Sequence, residues 1–324
     1  MTNIGGIHHV TAIAGDAQEN LDFYTGVLGL RLVKRSVNQD ATDTYHLFYA
    51  DADGHPGADL TFFPWPDLPP GRRGVGLSNE VSLAVQPDTL RWWTERLARA
   101  GIQTPAPEVR FGERTLAFAD PHGLRLALVE TADPREFTAW RGSPVPEGFQ
   151  VRGIHGVRVQ ERDLISTGGF LEEGMGFAEL AQESGCHRFG PPRGGSGRFL
   201  DVRESTEPRG EWGVGAVHHV AWRVADDGAQ QRARAEVITA GARPTPQIER
   251  FWFRSVYFKE PGGVLFELAT DGPGFAVDES ADTLGEHLVL PPWLEGQRAT
   301  IEASLPQLKF GVSSLAEAGS PPHR

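Results

Sequence analysis

Val217-His218-His219-Val220-Ala221-Trp222 and, further on, Tyr257-Phe258-Lys259-Glu260-Pro261-Gly262-Gly263-Val264-Leu265-Phe266-Glu267-Leu268-Ala269 bound the stretch that decides the architecture. Both ends read as strands: aromatic and β-branched residues are frequent, and Pro-Gly-Gly supplies a turn before the last one. Between them, Asp226 to Ala240 reads as a helix stopped by Gly241. Glu267 stands apart, with Phe266 and Leu268 beside it in sequence and Leu265 and Ala269 sharing its face. A mid-strand carboxylate among apolar groups is costly unless something positive or hydrogen-bonding meets it; an arginine or a metal would serve.

The same order of strand, helix and further strands appears three more times upstream. The first pass opens with a strand at Ile7 to Ala14, an N-cap at Asp16, an apolar helix stripe and a stop at Gly29. Strands follow at Leu30 to Val33, Thr44 to Tyr49 and Asp59 to Phe63. A Pro/Gly-rich linker, Pro64 to Gly76, precedes the second pass, with a strand at Asn79 to Val85 and a helix at Pro87 to Ala100. A second linker runs from Asp133 to Gly148, and the third pass starts near Val151, with a helix from Asp163. Asp16, Phe23 and Gly29 match Asp163, Phe170 and Gly176 at a constant offset of 147, and Gly101, Pro121 and Gly123 match Gly241, Pro261 and Gly263 at 140. The repeat predicts an α+β fold of four βαβββ modules in two pairs. Residues 1–132 and 149–272 form the two halves, and 273–324 an extension and tail. In the extension, Gly285 to Leu294 reads as a docking segment, Gln297 to Leu305 as a short helix and Ser313 to Arg324 as disordered.

The chain has 324 residues and a net charge of -12, which argues against general affinity for nucleic acid or anionic membrane. A single cysteine, Cys186, rules out an intramolecular disulfide. The first residues lack the basic start and apolar run of a signal peptide, and no stretch is long enough to span a membrane. A cytoplasmic protein is expected.

Residues needed by the fold should recur among repeats, whereas residues needed for chemistry need not. His9 stands seven residues before Asp16, and His219 seven before Asp226. Equivalent places hold Gly156 in module three and, by the same seven-residue rule, Val81 in module two; Ala127 stands opposite Glu267. Strand alternation lets only one histidine of each His-His pair point into the cup of its sheet, and register selects His9 and His219 unless a bulge intervenes. Two imidazoles and one carboxylate make the facial triad of a mononuclear iron(II) site; manganese or zinc could use the same ligands. Otherwise the histidines are core residues and Glu267 pairs with an arginine.

Ile7-His8-His9-Val10-Thr11-Ala12, followed by Gln18-Glu19-Asn20-Leu21-Asp22-Phe23-Tyr24 and Val27-Leu28-Gly29-Leu30-Arg31-Leu32-Val33-Lys34, resembles the start of a vicinal-oxygen-chelate protein. More narrowly, the chain resembles the hydroquinone-cleaving ring dioxygenases. Thr44 to Tyr49, Ser255 to Phe258 and Glu260 to Glu267 carry the same likeness, which spans nearly the whole chain. The resemblance implies cupped mixed sheets and an iron(II) enzyme that opens hydroquinone rings with O2. It places the metal on His9, His219 and Glu267, the set the repeat comparison selects. It also implies roles around the metal for His8, Arg250 and Tyr257: a histidine or tyrosine can move the hydroquinone proton, and an arginine can steady an oxygen anion. His46 reads as structural, and Trp222, Phe251, Trp252 and Phe253 as candidate ring walls. The expected partners are a small aromatic substrate and O2, with a homo-oligomer left open. Two rivals remain at this stage. One is a glyoxalase-like isomerase or thiol transferase on the same scaffold, which usually has four protein ligands where three are found here. The other is a metal-free protein that binds an aromatic compound.

Overall fold

The computed structural model describes residues 3–310. The stretch Ser313 to Arg324, expected to be disordered, lies outside the described residues. Module one comprises β1 (Ile4–Ala14), α1 (Ala17–Leu21, continued by a π-type turn at Asp22–Val27), β2 (Arg31–Asn38), β3 (Ala41–Ala50) and β4 (Asp59–Pro64). Module two comprises β5 (Leu77–Val85), α2 (Leu90–Arg99), β6 (Glu108–Arg110), β7 (Glu113–Ala119) and β8 (Arg125–Glu130). Module three comprises β9 (Ile154–Glu161), α3 (Leu164–Met175), β10 (Ala178–Glu183), β11 (Cys186–Gly190) and β12 (Phe199–Glu204). Module four comprises β13 (Val217–Val224), α4 (Asp227–Thr239), β14 (Ile248–Glu249), β15 (Arg254–Lys259) and β16 (Leu265–Thr270).

Local chemistry explains the helix starts. Asp16, Asp163 and Asp226 accept backbone N–H groups of the turn that follows each of them, a cap worth about 1 kcal/mol. Module two has no such aspartate, and its helix begins later than Pro87. There Leu90 N donates to Glu130 Oε1 at 2.9 Å, so a carboxylate from the neighbouring strand does the capping.

Two eight-stranded mixed sheets result, in the orders β14-β15-β16-β13-β1-β4-β3-β2 and β10-β11-β12-β9-β5-β8-β7-β6. Modules one and four share the first sheet, modules two and three the second. The expected units 1–132 and 149–272 are therefore repeat halves of the sequence rather than separate sheets, because β1 pairs with β13 and β5 with β9 across them. Apolar side chains of the helices and of the sheet faces beneath them form the core, including Tyr24, Trp93, Leu171 and Trp222. Trp222 is fully buried there against Phe177 and Phe266, so it does not wall a ring as its sequence position suggested.

Register corrects two further expectations. Between β1 and β13, Ile7 pairs with Trp222 and His9 with Ala221; Thr11 pairs with His219 and Ala12 with Val217. His8 and His218 are thus the extra residues of two bulges, and a bulge re-aims side chains. Both histidines of each pair turn to the same side, with Nδ1 atoms 2.9 Å apart in His8/His9 and 2.8 Å apart in His218/His219. In the second sheet Val81 pairs with Val157, as Val220 does with Val10 in the first. Glu80, not Val81, therefore stands where His219 stands. The seven-residue rule failed in module two because its strand-to-helix loop is longer.

The extension returns to the outer strand β2. Arg31 donates to the carbonyls of Ala281, Asp282 and Leu284, and Val289 N donates to Arg35 O. Lys34, fully buried, donates to Phe275 O at 3.1 Å and Asp278 Oδ1 at 2.8 Å and pairs with Glu279. These contacts cover an edge that would otherwise be open to strand pairing. A short helix α5 (Arg298–Ser304) then packs on β3. Among the described residues no helix is long and apolar enough to cross a membrane.

Candidate metal centre and ring cavity

Because β1, β13 and β16 are adjacent, three neighbouring strands bring His9, His219 and Glu267 together at the bottom of the first cup. Their ligand atoms all lie within 4.8 Å of one another, and among the described residues no further His, Cys, Asp or Glu joins the group. His9 Nε2 is 3.2 Å from His219 Nε2; Glu267 Oε2 is 3.0 Å from His219 Nε2 and 3.4 Å from His9 Nε2. The other carboxylate oxygen, Oε1, accepts from Ser255 Oγ at 2.5 Å. Glu267 is wholly buried, and its Oε2 has no well-formed hydrogen bond although it faces two imidazole nitrogens. A cation between these three atoms would satisfy all of them, so the donor set fits a metal. Among the described residues no arginine pairs with Glu267, whose charged neighbours are the two histidines rather than the arginine of the alternative expectation.

Ligation needs neutral imidazole and ionised carboxylate. Burial alone would raise the Glu267 carboxyl, but the charge and hydrogen bonding of His9 and His219 outweigh it and hold the group well below the usual range. Burial lowers His219, partly offset by Glu267. Burial, followed by the adjacent histidine, lowers His8 and His218 each to about 3. If Nε2 of His9 and of His219 keep their lone pairs for a cation, their protons sit on Nδ1 and are donated to His8 and His218 respectively.

Above the three ligands lies a cavity of about 380 Å3. Its walls are aromatic, including Phe48, Phe63, Trp65, Trp252 and Phe253, and its polar groups include His46, His218, Arg250 and Tyr257. Of the site residues expected from sequence, Arg250 and Tyr257 line this cavity, with the guanidinium 5.6 Å from the phenol ring centre. His8 does not line it; its ring packs behind His9 and against Phe253. Phe251 also lies off the cavity, whereas Trp252 and Phe253 wall it as expected. His46, expected to be structural, faces the cavity and starts a hydrogen-bond chain. His46 Nε2 meets Thr61 Oγ1 at 2.9 Å, Thr61 meets Thr11 Oγ1 at 2.8 Å, and Thr11 meets His219 Nε2 at 3.0 Å. His218 and Thr11 were missed as site residues. The doublet of histidines was the only signal for the first, and nothing in a lone strand threonine marks the second.

Burial and then Glu267 raise the Tyr257 phenol, with Arg250 partly offsetting them, so Tyr257 stays protonated. Burial would lower the Arg250 guanidinium, but Tyr257 and Asp40 more than compensate and keep it cationic.

Residues 6–128 match the model of the Glyoxalase/Bleomycin resistance protein/Dioxygenase superfamily. The chain is 40% identical over 310 residues to a Bacillus subtilis (strain 168) protein named "Putative ring-cleaving dioxygenase MhqO", covering 96% of this chain and 98% of that one. The chain belongs to this superfamily. Within it, the near-full-length relatives place the protein among the ring-cleaving dioxygenases. The chlorohydroquinone/hydroquinone 1,2-dioxygenase of Sphingobium indicum (strain UT26S) is 32% identical over 300 residues, covering 90% of this chain and 93% of that one. A solved structure of a "putative dioxygenase" from Bacillus subtilis superimposes with a TM-score of 0.91 at 38% identity, covering 95% of this chain and 99% of the other.

Proposed function

We propose that this dioxygenase is iron(II)-dependent and opens a hydroquinone-type ring with O2, in the cytoplasm. The observation that carries the reading is the buried His9/His219/Glu267 group, with an orphaned carboxylate oxygen, under an aromatic-walled cavity large enough for one ring. Three protein ligands leave open positions, as a ring-opening centre needs and a four-ligand isomerase site does not. The names of the relatives support the substrate class. Iron(II) held there supplies the redox-active and Lewis-acidic centre for the chemistry; manganese takes the same ligands.

The protein's own residues bind, orient and move protons. Phe48, Phe63, Trp252 and Phe253 hold the ring and exclude water, which strengthens every charge interaction inside. His218, neutral and facing the cavity, accepts the His219 Nδ1 proton on its own Nδ1, so its Nε2–H is placed to donate a hydrogen bond to a substrate oxygen. Tyr257, protonated, is placed to donate one. Arg250, its charge offset by Asp40, is placed to hydrogen-bond a substrate oxygen. His8 acts through His9, fixing its tautomer and ring angle from behind.

The test is anaerobic reconstitution with iron(II), followed by oxygen-electrode traces on adding methylhydroquinone or chlorohydroquinone, with catechol in parallel. One O2 consumed per hydroquinone, and none with His9→Ala, is expected. Metal-loaded protein that consumes no O2 with either hydroquinone would sink the reading.

A further inference from the structure

Two turns far apart in the sequence meet over the cavity mouth. Gln39 and Asp40 form the turn between β2 and β3 at one end of the first sheet; Arg250 lies between β14 and β15 at the other. Arg250 Nη2 donates to Asp40 Oδ2 at 2.8 Å, and Gln39 Nε2 donates to Arg250 O at 2.9 Å. The curl of the sheet thus nearly closes on itself at this contact, and all three residues line the cavity. Among the described residues that line it, Arg250 is the sole arginine or lysine.

We propose that Asp40 is a specificity-determining residue: by occupying the Arg250 guanidinium it makes the cavity select uncharged hydroquinones and reject rings that carry an anionic substituent. This deepens the proposed function and rests on it. The charge balance gives the reason. A divalent ion and ionised Glu267 leave one net positive charge at the cavity floor, which a single deprotonated substrate hydroxyl neutralises. An anionic substituent adds a further negative charge inside walls of Phe48, Phe63, Trp252 and Phe253. There a charge is costly without a partner, and the one fixed cation in reach is already paired. Replacing Asp40 by asparagine keeps the shape of the turn and its amide hydrogen bonding while freeing the guanidinium. Asp40 is about three-quarters exposed and Arg250 about one-sixth, at 74% and 17%. Solvent therefore screens the pair, and the effect should be about tenfold rather than the far larger factor of a dry ion pair.

The experiment measures dissociation constants by anaerobic calorimetry on the metal-loaded protein. The ligands are methylhydroquinone and 2,5-dihydroxybenzenesulfonate, whose sulfonate is a poor metal ligand. Native protein should bind the neutral ring more tightly. In Asp40→Asn the preference should shrink by about tenfold through tighter binding of the sulfonate, and Asp40→Glu should restore it. An unchanged ratio in Asp40→Asn, or native protein that prefers the sulfonate, overturns the proposal. Binding without any O2 uptake would overturn the dioxygenase reading alone, leaving the selectivity result standing. Native protein that binds neither ring would overturn both.

Discussion

The two cups are built on one register and hold opposite contents. In the first, His9, Thr11, His219 and Glu267 surround a place for a cation. In the second, Gly156, Arg158, Glu80 and Ala127 stand at those positions, as the pairing of Val10 with Val220 and of Val157 with Val81 shows. Ion pairs fill that second cup. Arg188 grips Asp201 at 2.7 and 3.0 Å and Glu113 at 3.1 Å, His155 meets Glu113 at 3.1 Å, and Arg110 meets Glu80 at 2.5 Å. The Arg188 guanidinium also sits 4.0 Å from the Phe111 ring centre and 4.3 Å from that of Phe199. The scaffold therefore tolerates either a chemical centre or a neutralised plug. What it does not tolerate is buried charge with no partner.

The largest effect should come from emptying the first cup. His9→Ala or Glu267→Ala should lose bound metal by elemental analysis and lose turnover together; a variant that kept both would break the assignment of the ligands. Next comes an attempt to make the second cup like the first. A triple variant, Gly156→His, Glu80→His and Ala127→Glu, should bind no second metal equivalent. It should also be destabilised, because losing Glu80 removes the carboxylate that Arg110 and Arg158 face and leaves Arg110 with the more exposed Glu108, a broken charged hydrogen bond costing about 1–3 kcal/mol. Any side chain in place of Gly156 would also be crowded, since a Cβ there meets Phe199 atoms at 3.0 Å. Two tightly bound metals and an unchanged melting curve would refute the reading of the second cup as a plug held by its ion pairs.

Smaller effects sharpen the contrast. His8→Ala should weaken metal binding by about 10–100-fold while the fold persists, read by competition with a chelator. In the second sheet His155→Ala, at the equivalent position, should leave metal affinity unchanged. The smallest effect concerns Glu161, fully buried at the end of β9 where β1 carries Ala14, with neither oxygen hydrogen-bonded by a donor. Burial and then the Glu260 charge push its carboxyl up to about 9. The folded protein then keeps a proton that the unfolded chain releases near pH 4.5, so stability falls as pH rises between those two values. Glu161→Gln removes that slope. It should melt like the native protein near pH 4 and gain about 1–3 kcal/mol over it by about pH 9; parallel pH profiles would contradict the burial argument.

Much of this was legible in the chain. The glycine stops, aspartate caps and constant offsets specify four modules, and the absence of His9, His219 and Glu267 from the repeats singles them out. Glu80 was misplaced because a helix start is not a fixed ruler for strand register. The shared orientation of the histidine doublets was hidden because a bulge is a backbone event with no residue signature of its own. The Asp40–Arg250 contact depends on how far a sheet curls, and the anchoring of Lys34 on a strap more than two hundred residues away depends on where the chain returns. Both are properties of the assembled fold rather than of any local pattern.

The pairing of the first module with the last has a consequence in time. His9 and His219 are separated by 210 residues, and a ribosome adds roughly 5–20 residues per second. For tens of seconds the early ligand strand waits beside an unfilled neighbour position, while modules two and three can complete their own sheet. The His9/His219/Glu267 group thus cannot form until module four is made, and a nascent chain that stops short of β13 holds one of its three side chains.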